Sequence, residues 1–130
     1  MTTYLLDTTV LVDYFRGRER AKLLLERLVD EGHTLALCSV NVAELFAGLP
    51  EKQRPLAREL IDTLNYLGVP PGVAELAGTI RFEAARQGIT IHLPDAIIAA
   101  VAMANDATLV TANVRDFPME ELHLLEFPSN

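Results

Sequence analysis

The stretch "TYLLDTTVLVDYFRG", residues 3–17, decides the fold class. It opens with a short apolar run that ends at Asp7, which is typical of a buried β-strand. The residues that follow predict a helix capped by Thr8 or Thr9, which runs to about Arg16 and stops at Gly17. A strand followed at once by a helix favours parallel strands, because the helix carries the chain back over the sheet so that the next strand runs in the same direction as the first.

The same alternation continues along the chain. Strands are predicted at "TLALC" (34–38) and "ATLVT" (107–111), with weaker candidates around 66–69 and at "LLEF" (124–127). Helices are predicted over 19–30, from Ser39 or Asn41 to Gly48, over 55–67, over 73–87, and over 93–106, the last with no exposed face. We therefore expect a single domain, residues 1–130, that forms a three-layer α/β/α sandwich with a central, mainly parallel sheet.

Composition sets the broad class of protein. Half of the 130 residues are hydrophobic, which excludes a disordered chain. The longest apolar run, Ala96–Ala104, is too short to span a bilayer, and the start "MTTYLLD" does not resemble a secretion signal. The single cysteine, Cys38, suits a reducing compartment. We expect a cytoplasmic protein that does not associate with a membrane.

The charge is acidic overall but unevenly distributed. A net charge of −7 argues against broad electrostatic binding of nucleic acid, although bound divalent cations would neutralise part of it. Five of the eleven basic residues fall within twelve positions: Arg16, Arg18, Arg20, Lys22 and Arg27. This cluster is either a solvated helix face or a patch that contacts phosphates.

Four acids follow the predicted strands. Asp7 ends the first strand, Glu44 lies about one helical turn beyond the second, and Asp116 follows "ATLVT". Asp95 heads the buried helix that leads into that strand. Because ligand sites in parallel sheets lie beyond the carboxyl ends of the strands, these acids are expected to converge at one edge.

Each acid also has a purely structural interpretation. Asp7 and Asp116 are common turn residues, and Asp95 is a favoured helix cap after a boundary marked by Pro94. Glu44 forms an N-x-x-E pattern with Asn41 that resembles a capping box, although its neighbours predict apolar surroundings. The joint pattern of one acid per segment favours a functional site.

Carboxylates gathered in one cleft repel one another and would stay partly protonated without a cation. Mg²⁺ prefers oxygen ligands, and a bound divalent ion can polarise a phosphoryl oxygen and activate a water. The predicted chemistry is therefore hydrolysis of a phosphodiester. Thr9, Thr111 and Asn113 are expected to orient the carboxylates or waters by hydrogen bonding.

With these residues identified, the chain resembles the PIN-domain family, and specifically its VapC-type toxin ribonucleases. The resemblance covers nearly the whole chain and rests on four blocks in order: "YLLDTTVLVDYFRG", "SVNVAELFAGL", "LPDAIIAAVA" and "ATLVTANVRDF". It implies that Asp7, Glu44, Asp95 and Asp116 bind metal and are catalytic, with Thr9, Thr111 and Asn113 in support.

The resemblance also implies an activity and partners. It implies endonucleolytic RNA cleavage that depends on Mg²⁺ or Mn²⁺, often of structured RNA such as transfer RNA. It implies a homodimer, and inhibition by a small cognate antitoxin. We expect the antitoxin helix to bind a groove between the helices at 55–67 and 73–87, unless their apolar stripes are buried in this chain's own core.

Two other functions remain open. One is a different metal-dependent phosphoryl-transfer enzyme, although the haloacid-dehalogenase pattern needs an Asp where Thr9 stands. The other is a PIN-like module that binds RNA or a partner without catalysis. His92 lies three residues before Asp95 and either reaches the cleft or is an ordinary loop histidine.

Overall fold

The computed structural model describes residues 1–127, which contain five β-strands and six α-helices. In chain order these are β1 (Thr3–Leu6), α1 (Thr8–Phe15), α2 (Glu19–Asp30), β2 (Thr34–Cys38), α3 (Ser39–Ala47), α4 (Arg54–Asp62), β3 (Asn65–Leu67), α5 (Pro71–Arg86), α6 (Leu93–Ala104), β4 (Thr108–Thr111) and β5 (His123–Glu126). Within residues 1–127, no helix combines the length and apolar character needed to cross a membrane.

The strands form one sheet in the order β3-β2-β1-β4-β5, and every pair is parallel. The central strand β1 pairs Leu5 with Ala36 of β2 on one side and with Leu109 of β4 on the other. The chain first builds the sheet from β1 toward β3 and then continues on the other side of β1. The strand order therefore reverses between β1 and β4, and parallel sheets form their ligand clefts beyond the carboxyl ends of strands at such a point.

Alternating side chains divide the core between the two faces of the sheet. Leu6, Leu37 and Val110 point to the face covered by α1, α2, α3 and α4. Leu5 and Leu109 point to the opposite face, which is covered by α6. Because buried residues occupy both faces of each central strand, these strands read as continuous apolar runs. The predicted three-layer sandwich with a parallel sheet is confirmed.

Helix α6 lies between the sheet and α5. Ala96 and Ala100 are buried in one cluster with Ala77 of α5, while Ile98 and Val101 are buried in the cluster on the sheet. The alanines let the two helices approach closely. This position between two layers explains why the helix lacks charged residues after Asp95. The predicted helix is confirmed but ends at Ala104 instead of 106, and its buried residues lie between Ala96 and Ala102, whereas its two ends are exposed.

The prediction of one helix over 55–67 is wrong in its second half. Helix α4 ends at Asp62, and residues 65–67 instead form the edge strand β3 beside β2. The hydroxyl of Thr63 donates to the carbonyl of Leu60 at 2.7 Å, which satisfies a carbonyl at the helix end. The residues after this turn, 65–67, pair with β2 instead of continuing the helix.

The predicted groove between the 55–67 and 73–87 segments does not form. Ala57 and Ile61 of α4 are buried with α1 and α2 on one face of the sheet. Ala77 of α5 is buried against α6 on the other face. The two helices therefore lie on opposite faces of the sheet, and each buries part of its apolar stripe in this chain's own core, although Leu56 of α4 stays 60% exposed.

Candidate active site

Asp7 lies at the carboxyl end of β1, beside the carboxyl end of β4. Its backbone N–H donates to the carbonyl of Val110 at 2.9 Å, which extends the β1–β4 pairing by one residue. Its side chain is 6% exposed and also caps α1, accepting a hydrogen bond from Thr8 N at 2.8 Å. The carboxylate therefore stands at the point where the strand order reverses.

A buried hydroxyl sets the orientation of Asp7. Thr111 ends β4 and is fully buried, and its Oγ1 donates to Asp7 Oδ2 at 2.7 Å. The same Oγ1 accepts from the backbone N–H of Asn113 at 3.0 Å. A hydroxyl carries one proton, so the contact from Asn113 directs that proton to the carboxylate.

Glu44 is held by a second hydroxyl, that of Thr8. Thr8 Oγ1 donates to Glu44 Oε1 at 2.6 Å and accepts from Asn41 Nδ2 at 3.1 Å. Asn41 is fully buried, and its Oδ1 accepts from the backbone N–H of Cys38 at 2.8 Å. Cys38 is the N-cap of α3, and the side chain of Asn41, the third residue of the helix, satisfies its backbone N–H. The capping box suggested for Asn41 and Glu44 is therefore not formed. Glu44 is exposed rather than surrounded by apolar side chains.

Asp95 is the third residue of α6 and is half-buried. The N-cap position belongs to His92, which makes no side-chain capping hydrogen bond, so the interpretation of Asp95 as the N-cap is wrong. Burial is the main cause that raises the pKa of Asp95 to about 6, and the charges of Asp116, Asp7 and Glu44 contribute in the same direction. His92 acts in the opposite direction and is therefore within electrostatic range of Asp95.

Asp116 ends a single 3₁₀ turn over Val114–Asp116 and is exposed. Its charge raises the pKa of both Asp7 and Asp95. The pKa of Asp7 is raised first by burial and then by Glu44 and Asp116, although hydrogen bonds from Thr111 and Thr8 oppose the rise. Of the four acids predicted from the sequence, Asp95 therefore lies within electrostatic range of the other three, and Asp7 within range of Glu44 and Asp116.

The acids do not form a closed metal cage. Among residues 1–127, no three histidine, cysteine, aspartate or glutamate side chains stand close enough to hold one ion jointly. Mg²⁺ usually binds through only one or two carboxylates and keeps several waters, with substrate phosphates completing its shell. An oriented, buried Asp7 facing other acids is compatible with that mode of binding, because a cation there would offset their mutual repulsion.

The polar residues around the acids differ partly from the predicted set. Thr111 hydrogen-bonds Asp7, and Asn113 takes part through its backbone N–H. Thr9 is exposed on α1, and the hydroxyl that contacts Glu44 belongs to its neighbour Thr8. Sequence reasoning missed the roles of Thr8 and Asn41. A signal existed for Asn41, because residues three apart on a helix share a face, which places Asn41 beside Glu44.

Comparisons with known proteins agree with this architecture. Residues 4–118 match the PIN domain family. The chain is 34% identical over 117 residues to ribonuclease VapC19 of Mycobacterium tuberculosis, covering 88% of this chain and 92% of that protein. It is 27% identical over 122 residues to the tRNA(fMet)-specific endonuclease VapC of Shigella flexneri, covering 90% of this chain and 91% of that protein.

A solved structure also has the same fold as this chain. A chain of a toxin–antitoxin complex from Klebsiella pneumoniae superimposes with a TM-score of 0.82 at 28% identity, covering 98% of this chain and 99% of that one. The family match and these relatives cover nearly the full length of the chain. The chain therefore belongs to the PIN-domain family, in the group that contains the VapC ribonucleases.

Proposed function

We propose that this protein is a Mg²⁺-dependent endoribonuclease, with Mn²⁺ as a substitute, and the toxin of a toxin–antitoxin pair. It hydrolyses RNA phosphodiester bonds at the edge of the sheet where Asp7, Glu44, Asp95 and Asp116 lie. The observation that carries the proposal is the buried Asp7 at the carboxyl end of β1, with both carboxylate oxygens hydrogen-bonded and within electrostatic range of Glu44, Asp95 and Asp116. A divalent cation relieves this repulsion, and RNA phosphates are ligands that complete its shell.

Asp7 and Asp95 are the residues expected to hold the cation. Asp7 has both oxygens oriented by donors, so it presents its remaining lone pairs in a fixed direction. When bound, the cation neutralises charge on the phosphate and lowers the pKa of a water. Glu44 and Asp116 lie at the exposed rim, where they can orient further waters. In hydrolysis, water adds to phosphorus and one ester P–O bond breaks.

The substrate proposed is structured RNA, transfer RNA in particular. The support is the match to a relative from Shigella flexneri that is named as a tRNA-specific endonuclease. The cluster between Arg16 and Arg27 is exposed. Within it, Arg18 forms an ion pair with Asp13 at 3.5 Å, and Arg27 forms one with Glu31 at 4.0 Å. These ion pairs fit the interpretation of the cluster as a solvated helix face, with a patch that contacts phosphates as the alternative.

Cleavage of purified cellular RNA tests the proposal. The wild-type protein is expected to cut RNA with Mg²⁺ or Mn²⁺ and to stop with EDTA. Asp7→Asn and Asp95→Asn should abolish cutting, while Glu75→Gln, an exposed acid on α5, should not change it. Equal activity of all variants would point to a contaminating nuclease. RNA binding without cutting would favour a non-catalytic module, and cutting of only other phosphoesters would favour another phosphoryl-transfer enzyme.

The proposed partner is a small antitoxin, as in the toxin–antitoxin complex that this chain resembles. A cleft of about 610 Å³ between α2 and α4 offers a surface for it. Leu25, Val29, Leu60 and Leu64 line this cleft, with acidic Glu26 and Asp30 among its walls. This lining fits an amphipathic helix that carries basic residues beside an apolar stripe.

Co-expression with each small protein encoded next to the gene for this chain tests the partner. One of them is expected to suppress cleavage, and Val29→Glu in the cleft should weaken the suppression. Leu23→Glu, an equally exposed apolar residue of α2 outside the cleft, is the matched control.

We also propose a cytoplasmic homodimer. Light scattering of the purified protein at the dimer mass supports it, and a monomer at all concentrations contradicts it.

A further inference from the structure

Asn41 is a buried amide in the first turns of α3, and both of its ends are engaged. Its Oδ1 accepts from Cys38 N at 2.8 Å, and its Nδ2 donates to Thr8 Oγ1 at 3.1 Å. The orientation of the amide follows from chemistry, because a backbone N–H can only donate. The oxygen must face Cys38, and the amino group must therefore face Thr8.

This orientation decides what the Thr8 hydroxyl does. Thr8 Oγ1 carries a single proton and already accepts from Asn41, so the proton is directed to Glu44 Oε1 at 2.6 Å. Glu44 is exposed, and a free glutamate at such a place would sample many rotamers. The hydrogen bond restrains it, while its second oxygen keeps its lone pairs for a cation or a water.

We propose that Asn41 and Thr8 are positioning residues that pre-orient Glu44 toward the metal, an inference that rests on the proposed function. The chain of contacts runs from the carboxyl end of β2 through Asn41 to the first residue of α1. It parallels the contacts from Asn113 through Thr111 to Asp7. Two hydroxyls, each with its proton directed by an amide donor, thus orient two of the four acids.

A double-mutant cycle tests this role, with Mn²⁺ binding measured by calorimetry and RNA cleavage measured in parallel. Thr8→Val removes the hydroxyl at nearly constant volume and is expected to weaken Mn²⁺ binding about tenfold, the lower end of what outer-shell contacts contribute. Thr8→Ser keeps the hydroxyl and should restore binding. In a Glu44→Gln background, Thr8→Val should cause almost no further loss, because its effect passes through Glu44.

Asn41→Ala should behave as Thr8→Val does, provided that its melting transition shows a folded protein. If it does not fold, the Thr8 pair decides the question alone. Thr63→Val removes a hydroxyl that bonds Leu60 at the end of α4, and should leave Mn²⁺ affinity and cleavage unchanged.

Two results would overturn the inference: wild-type affinity in Thr8→Val, or an equal loss in the Glu44→Gln background. If either occurs while the wild type still cleaves RNA, the proposed function stands and only the positioning role fails. If the wild type binds Mn²⁺ without cleaving RNA, the nuclease proposal fails and the cycle still decides the positioning role. If the wild type binds no Mn²⁺, both the proposed metal-dependent function and the positioning role are wrong.

Discussion

Replacing Asp95 with asparagine should stabilise the metal-free protein at pH 7. In the folded state the carboxylate has a pKa of about 6, against 3.8 for the unperturbed group. At pH 7 the side chain is charged in both states, but only the folded state holds that charge against burial and neighbouring acids. The amide that replaces the carboxylate has nearly the same shape and carries no charge, so the variant escapes this cost.

The size of the effect follows from the shift. Each pKa unit corresponds to about 1.4 kcal/mol, which sets a ceiling of about 3 kcal/mol. Asp95 is only half-buried, and solvent screens its charge, so we expect roughly 1 kcal/mol. For a chain of this size that gain raises the melting temperature by roughly 4 °C.

The pH dependence has a defined sign. Because the folded pKa of Asp95 is raised, the folded state binds the extra proton between pH 3.8 and about 6, and its stability falls as pH rises through that window. The advantage of Asp95→Asn should therefore be present at pH 7, shrink toward pH 4 and vanish below it.

Thermal unfolding in EDTA at pH 7 and pH 4 measures the difference directly. Glu75→Gln removes one exposed negative charge on α5 and controls for net charge alone. A variant that melts at or below the wild type at pH 7 would refute the reasoning. A gain that is undiminished at pH 4 would also refute it, because it would not come from the charge of Asp95.

Three further outcomes are expected. Thr111→Val should lower the free energy of unfolding in urea by about 2 kcal/mol, because it removes a buried hydrogen bond to a carboxylate. It should also raise the pKa of Asp7 further. Thr111→Ser keeps the hydroxyl and should retain most of the stability. Mg²⁺ at about 100 times its Kd should stabilise the wild type by about 2.7 kcal/mol in thermal unfolding but leave Asp7→Asn nearly unchanged; equal shifts would place the ion elsewhere. Ile98→Ala should cost about 3 kcal/mol in urea unfolding because Ile98 is fully buried between α6 and the sheet, and a loss below about 1 kcal/mol would contradict that burial.

Much of the fold could be predicted from the sequence because most of its signals are local. The central strands are buried on both faces, so each reads as an unbroken apolar run between turn residues. Helix α2 was predicted with the bounds that the structure has, Glu19–Asp30. The predicted helix is wrong after Asp62, whereas the weaker strand candidate around 66–69 overlaps β3. The sequence "LNYL" fits a helical stripe and a short edge strand equally well, and pairing with β2 decides between them.

The acids could be placed at one edge because the carboxyl ends of parallel strands share that edge. Which hydroxyls orient them could not be predicted. Thr8 and Thr9 are adjacent in sequence, and only the direction of α1 relative to α3 determines which of them faces Glu44. Asn41 has an obvious local role as a helix cap, which concealed its second contact with Thr8, 33 positions away in the chain.

The central claim is that carboxylates from distant segments share a divalent cation where the strand order reverses. A crystal of this protein soaked in Mn²⁺ and measured at the manganese absorption edge tests it most directly. The account predicts an anomalous peak within coordination distance of Asp7 and of at least one of Glu44, Asp95 and Asp116. Saturating Mn²⁺ that gives no peak beside Asp7, or a peak only at other carboxylates, would contradict it.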